Sequence, residues 1–554
     1  MRPELEGRNF IVVGSGAAGL TAAVTAHAKG LKPVILEKAS VWGGTTALSG
    51  GVLWVPCNHL MEADGDGDDR AVARDYILGL MGEEATTRVA AKVDRFLDAA
   101  PEMVRMLEGM GLKWARNAEH PDYYPRMAGA RVGRTIEAAM LDETILGPCL
   151  KTLRTSPVKV PPMLTRDAGN CMRAKTGFRP MLTALRVVLG DWATHFAGRP
   201  RASRGRALLV NLMRQVQEAG IPLLLETRLV EIRADQGRVT GVTVETPQGR
   251  QDMEAPAGVM LAAGGFARNR DLRLKYHGDV DGSWTSAPPE DEGDALLAGQ
   301  AIGADTEFTQ HAWWQPSLLI APGMAAITLS ERAFPGSIIV DETGQRYMNE
   351  AESYMTSGAR MRAHGGARHP HWLIYDSGFT SRYIFRALGT GPVQDMMARN
   401  GYLKQADTLE GLAGACGLDA GALRTTVERF NRFAASGVDE DFARGATDYD
   451  QYWADPANRP NPSLGPILKA PFFAARIAPG DLGTNGGLMT DEDSRVLDRE
   501  GQPIAGLYAA GNCSGSPFGG YYPGAGATIG AATTFGYVGA CHAARLHNQG
   551  GVQA

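Results

Sequence analysis

The sequence predicts an α/β chain, α+β overall, in which a Rossmann-like dinucleotide-binding domain is interrupted by an inserted substrate-binding and catalytic domain. Three observations predict it: a strand, glycine turn and helix open the chain, glycine-rich segments return near its end, and the stretch between them is irregular, aromatic and proline-containing. The expected boundaries are 1–284 and 464–554 for the two parts of the first domain and 285–463 for the insert.

Composition agrees with that division. A chain of 554 residues exceeds one core, so about two to four domains are expected. With 56 basic against 61 acidic residues, the net charge of −5 gives no general pull toward nucleic acid. The six cysteines (Cys57, Cys149, Cys171, Cys416, Cys513, Cys541) show no C-x-x-C pair or metal-ligand spacing and read as reduced and structural. No apolar run reaches the roughly eighteen residues that span a bilayer. The start lacks a signal core and twin arginines, so a cytoplasmic protein is expected.

In chain order, Phe10–Val13 reads as a buried strand, Gly14-Ser15-Gly16-Ala17-Ala18-Gly19 as a tight turn into a helix of small residues, and Pro33–Leu36 as a second strand ending on Glu37. Val93–Leu112 reads as a helix with Pro101 in its first turn. A further helix carries Leu208, Leu212 and Val216 and stops at Gly220; strands follow over Pro222–Ile232, Val239–Thr246 and Val259–Ala263. From Thr285 the texture turns irregular, with Trp313, Trp314, Trp372 and Tyr375, until the linker-like run Asn458-Arg459-Pro460-Asn461-Pro462. Glycine then returns at 480–487 and 506–511, and Ala525–Ala544 reads as a helix of small residues.

The opening unit carries chemistry. Gly14 permits the turn, Gly16 lets backbone approach a pyrophosphate, and Gly19 lets the helix pack closely on the strand, while the helix N-terminus attracts the anion. Glu37 can accept hydrogen bonds from an adenosine ribose. A lone G-x-G-x-x-G is weak; strand, helix and acid around it make it specific. The loop Gly43-Gly44-Thr45-Thr46 with Ser49-Gly50-Gly51 is long enough to wrap a second phosphate and a flavin edge, which points to FAD; its bland alternative is a flexible surface loop. Near the end, an apolar strand finishes on Gly511-Asn512, which suits the ribityl chain. The helix start at Thr528-Ile529-Gly530 can direct its dipole at the flavin.

Gly14–Gly51, Leu261–Phe266, Asn349-Glu350-Ala351-Glu352-Ser353-Tyr354 and Gly520-Tyr521-Tyr522-Pro523-Gly524-Ala525-Gly526 resemble the 3-ketosteroid Δ1-dehydrogenases, within the FAD-dependent fumarate reductase and succinate dehydrogenase flavoprotein superfamily. The resemblance covers nearly the whole chain. It implies non-covalent FAD held from both ends, with Lys38, Val230, Ala263 and Gly264 added to the residues above. It also implies 1,2-desaturation of a 3-ketosteroid: Tyr522 and the Gly526 backbone N–H polarise the C3 carbonyl, Tyr354 as tyrosinate takes the C2 proton, a hydride goes from C1 to flavin N5, and Tyr123 or its neighbour Tyr124 assists. Arg126 departs from these relatives, which often carry an acid there. The electron acceptor is unread, and peripheral membrane contact stays open.

Three rivals remain. A 3-ketosteroid Δ4-dehydrogenase would share cofactor and tyrosine chemistry. A fumarate or urocanate reductase needs cations to clamp carboxylates, with a histidine beside Thr484-Asn485-Gly486-Gly487 and an arginine in Tyr521–Gly526; neither is there. A flavin carrier without turnover would need no insert. No metal is expected: His369-Pro370-His371 lacks a third ligand and reads as surface histidines. Trp313 and Trp314 suit a pocket wall or a core.

Overall fold

Parallel pairing explains why the opening strand is apolar throughout. Phe10–Val13 lies between Pro33–Leu36 and Gly258–Leu261, parallel to both, and every residue of the three is buried. The computed structural model describes residues 6–156, 160–278, 280, 282–366, 368–385 and 391–550. From one edge the first sheet runs Gly249–Glu254, Arg238–Thr246, Pro503–Ala509, Gly258–Leu261, Phe10–Val13, Pro33–Leu36 and Leu223–Leu224. Val259–Leu261 pairs in parallel with Leu507–Ala509, so both ends of the chain build this sheet.

The helix Ala17–Ala28 follows the first strand and packs against the final helix Ala527–Gly550. Their approach depends on small residues: a Cβ on Gly536 would stand 2.5 Å from the Ala18 carbonyl oxygen.

The second sheet runs Met324–Ile327, Thr306–Ala321, Phe472–Leu488, His371–Asp376 and Ser337–Val340, with Leu403–Ala406 also on Phe472–Leu488. Its long strand Phe472–Leu488 lies beyond residue 463, so the glycine run at 480–487 belongs to the insert's sheet as well as to the return toward the first. Glycine there serves close packing: a Cβ on Gly480 or Gly486 would stand 2.2–2.3 Å from neighbouring atoms. A third, small sheet of Val52–Trp54, Thr135–Ala138 and Trp114–Asn117 carries the loops that reach the site.

Three expectations need correction. The helix expected from Val93 is Thr87–Gly109; Thr86 caps it, and Pro101 lies inside, tolerated on a buried face rather than opening the helix. The single strand expected over Pro222–Ile232 breaks into Leu223–Leu224 and Arg228–Asp235, with Glu226 between them at a φ of 53°. His371 is no surface histidine: it is buried, with the Tyr347 hydroxyl 2.9 Å from its Nδ1, while His369 pairs with Glu342. Among the described residues no group of three His, Cys, Asp or Glu side chains is arranged to hold a metal ion.

Candidate active site

Each glycine of the opening turn has its own reason. Gly14 holds a φ of +109°, and a Cβ there would stand 2.3 Å from the Ala262 carbonyl oxygen. A Cβ on Gly19 would stand 1.9 Å from the Gly14 oxygen. Gly16 differs, because the nearest atom to a Cβ is Thr46 Oγ1 at 3.6 Å. Protein packing does not demand glycine there; a ligand approaching the backbone does. No side chain caps the helix that starts at this point, although the Ala17 N–H donates to Thr46 Oγ1 at 3.1 Å.

The loop after the second strand is tied to this turn. Ser15 Oγ accepts from the Gly43 N–H at 2.9 Å and donates to Glu37 Oε2 at 2.6 Å, while the Ala39 N–H donates to Glu37 Oε1 at 3.0 Å. A Cβ on Gly44 would meet nothing nearer than Gly16 Cα, at 3.8 Å. Thr45 and Thr46 enter a single 3₁₀ turn, and Ser49 Oγ accepts from the Gly51 N–H at 3.1 Å. A Cβ on Gly50 would meet nothing within 4 Å, whereas one on Gly51 would collide with Arg204 backbone at 2.0 Å. Gly264, after Ala263, has a φ of +83° beside Asp291.

From the other end of the chain, Asn512 Oδ1 accepts from Trp313 Nε1–H at 3.0 Å and from the Thr528 hydroxyl at 3.3 Å. Gly511 lies between Ala18 and Ala532, and Thr528 and Ile529 form the first turn of the final helix. The Lys38 ammonium is taken by Glu292 and Asp294, each at 2.7 Å, and Val230 sits half-buried in Arg228–Asp235. Side-chain-free backbone at Gly16 and Gly44, the helix N-terminus beside them and an anchored Glu37 carboxylate together fit the pyrophosphate and ribose of FAD.

Three buried phenols converge beside Asn512 and Trp313. The Tyr123 and Tyr522 rings stack at 5.4 Å, and the Tyr354 ring stands edge-on to both, at 5.3 and 5.5 Å. The Tyr354 hydroxyl lies close enough to those of Tyr123 and Tyr522 for each to influence the ionisation of the others. The backbone of Gly526 and Thr528 lies beside the Tyr522 phenol and favours its ionised form. Burial pushes all three phenols up, Tyr123 and Tyr354 well above the ordinary value of 10.0. Trp313 closes one side, its ring 5.2 Å from that of Tyr522.

Local structure fixes the three. Gly524 and Gly526 let their loop press on the strand Val52–Trp54: a Cβ on either would stand 2.2 Å from that strand. The Tyr123 loop hangs on the same loop, since the Tyr123 N–H and the Tyr76 hydroxyl both donate to the Pro523 carbonyl, at 2.9 and 2.6 Å. Asp122 holds it from behind, accepting from Trp54 Nε1–H at 2.7 Å, Arg134 at 2.7 Å and the Arg131 N–H at 2.9 Å. Arg126 is exposed and takes no part. Tyr124 turns instead to Tyr521 and Thr356. Tyr354 opens the helix Tyr354–Ala363, which Ser353 caps by accepting from the Thr356 N–H.

Sequence reasoning missed Asp122, Arg134, Trp54, Tyr76 and Tyr449. Tyr449 stands 5.0 Å from Tyr123, ring to ring, in the short helix Asp448–Tyr452. Only proximity to Tyr123 in sequence pointed to Asp122; the others come from distant segments with no motif.

A dinucleotide cradle built from both ends of the chain, opening beside a buried phenol cluster, defines an FAD-dependent oxidoreductase. The FAD binding domain family matches residues 9–529. The chain is 40% identical over 551 residues to a 3-oxosteroid 1-dehydrogenase of Mycolicibacterium smegmatis, covering 96% of each. It superposes with a TM-score of 0.91 on the 3-ketosteroid Δ1-dehydrogenase of Sterolibacterium denitrificans in complex with 1,4-androstadiene-3,17-dione, at 36% identity over 97% of this chain and 99% of that one. The chain belongs to this family of FAD-binding 3-oxosteroid 1-dehydrogenases. The 3-ketosteroid Δ4-(5α)-dehydrogenase of Rhodococcus jostii, with a TM-score of 0.65 at 22% identity over 98% of each chain, shares the fold.

Proposed function

We propose that the protein introduces a C1–C2 double bond into 3-ketosteroids. The observation that carries this reading is the Tyr522 phenol, stacked on Tyr123 at 5.4 Å and edge-on to Tyr354 at 5.5 Å, beside the Gly526 backbone. Tyr522 Oη–H and the Gly526 N–H form a donor pair that polarises the C3 carbonyl and stabilises enolate charge on its oxygen. Tyr354 Oη takes the C2 proton, and the Tyr123 hydroxyl shares the negative charge on that base. Trp313 and the stacked phenols exclude water and hold the flat ring. FAD, when bound, supplies the two-electron acceptor for the hydride from C1. Turnover of 5α-androstane-3,17-dione with an artificial electron acceptor tests this, because either alkene can form: the 1-ene is expected. A C4–C5 alkene would reassign the protein as a Δ4-dehydrogenase, and no turnover with any 3-ketosteroid would reject the reading.

The same reading includes peripheral contact with a lipid surface that presents the apolar substrate. The helix Phe178–Phe196 exposes Phe178, Leu185, Leu189, Trp192 and Phe196, the first and last at 69% and 74%. Lys175, Arg179 and Arg186 flank these residues, complementing anionic headgroups. No helix among the described residues is long and apolar enough to cross a membrane. Flotation with phosphatidylglycerol vesicles is expected, weakened by F178S/W192S/F196S. Monomer-to-dimer conversion without flotation would assign the face to a second copy.

A further inference from the structure

Arg332 is buried and held almost wholly by neutral acceptors. Its Nε–H donates to the Thr328 carbonyl at 3.0 Å, and Nη1 donates to the carbonyls of Glu350 and Glu352, the latter at 2.7 Å, and to Ser357 Oγ at 3.1 Å. Three of these acceptors bracket Tyr354: two precede the helix Tyr354–Ala363 and one lies in its first turn. Other buried arginines here are neutralised by carboxylates: Arg134 by Asp68 and Asp122, Arg273 by Asp481, and Arg444 by Glu350. Arg332 forms no ion pair among the described residues.

The charged and titratable groups facing Arg332 are Tyr449, Glu352, Glu331 and Tyr123. Glu352 is engaged by Arg360 at 2.7 Å, and burial pushes it up to about 7; burial also pushes Glu331 up. Arg332 thus faces the phenols as well as these two carboxyl groups, and it offsets part of the burial effect on Tyr123 and Tyr449.

We propose that Arg332 is a positioning residue for proton abstraction: it fixes the start of the Tyr354 helix and, bonded to no carboxylate, favours negative charge on Tyr123 and through it on the packed Tyr354–Tyr123 pair. The proposal rests on Tyr354 being the base. One proton leaves that pair to solvent, and the anion remains under the guanidinium. Tyr354 Oη then takes the C2 proton, and the C–H electron pair moves into the enolate whose charge settles on the C3 oxygen. A buried arginine left unpaired costs stability, and an opposite charge within a few ångströms favours a tyrosinate by about one to three pH units.

The test is the pH dependence of kcat/KM in R332K, R332Q and E352Q, read beside ultraviolet titration of tyrosinate in the resting holoenzyme. In R332Q the rising limb and the earliest tyrosinate step are expected to move up by about one pH unit or more. R332K, which keeps the charge with fewer anchors, is expected to hold the limb and lose rate. E352Q, which removes an opposing charge, is expected to move the limb down, and this arm stands if R332Q does not fold. Unmoved limbs in every variant that folds, or equal losses in R332K and R332Q at every pH, would overturn the proposal. If Y354F keeps the wild-type limb, the base assignment fails instead, whatever Arg332 does.

Discussion

Tyr123 and Tyr522 stack with their rings 16° from parallel, although one comes from a loop near the start of the chain and the other from a glycine-rich loop near its end. The stack is the hinge of the site: it brings the neighbour of the proposed base, Tyr354, against Tyr522, proposed to polarise the carbonyl. Tyr124, one position on, faces Tyr521. Steady-state kinetics should therefore separate the neighbours, with Y123F losing about tenfold or more in kcat and Y124F staying within a few-fold of wild type. Equal losses would mean that the stack carries no chemistry.

Gly16 and Gly19 should fail differently. A Cβ at Gly16 meets only Thr46 Oγ1, at 3.6 Å, so G16A is expected to fold and to lose FAD affinity. A Cβ at Gly19 collides with backbone at 1.9 Å, so G19A is expected to unfold at lower temperature with or without FAD. Thermal unfolding and flavin content of both variants check this.

Asp122 anchors the Tyr123 loop through Trp54 and Arg134, at 2.7 Å each. D122A leaves Arg134 with Asp68 alone and should cost about 3 kcal/mol, seen by denaturant unfolding. D122N keeps an acceptor for Trp54 and should cost less.

Burial raises the phenols of Tyr354 and Tyr123, so the free enzyme holds them protonated at neutral pH. A base must be deprotonated to act, and kcat/KM reports the free enzyme. The expected kcat/KM rises with pH from neutrality into the alkaline range. A profile that falls there would place the proton on a different group.

Much of this was legible in the chain. The turn at Gly14–Gly19 and the acid at Glu37 follow from local geometry, since strand, turn and helix are adjacent in sequence. The loop Gly520–Gly526 was legible as a glycine-rich run just before the final helix and by its resemblance, but its packing on Val52–Trp54, far away in sequence, was not. Phe472–Leu488 was not, because which sheet a strand joins is set by partners such as Thr306–Ala321, far away in sequence. The hold of Glu292 and Asp294 on the Lys38 ammonium was not legible either, because both come from a distant segment. Arg332 and Asp122 act through contacts that no spacing announces.

The central claim is that Tyr354 and Tyr522 carry the chemistry beside a flavin held from both ends of the chain. Anaerobic mixing of the oxidised holoenzyme with androst-4-ene-3,17-dione, following flavin bleaching in wild type, Y354F and Y522F, tests it most directly. The account predicts rapid bleaching with formation of the 1,4-diene in the wild type, and bleaching about a hundredfold or more slower in each variant with flavin and steroid still bound. Bleaching at the wild-type rate in either variant would contradict it.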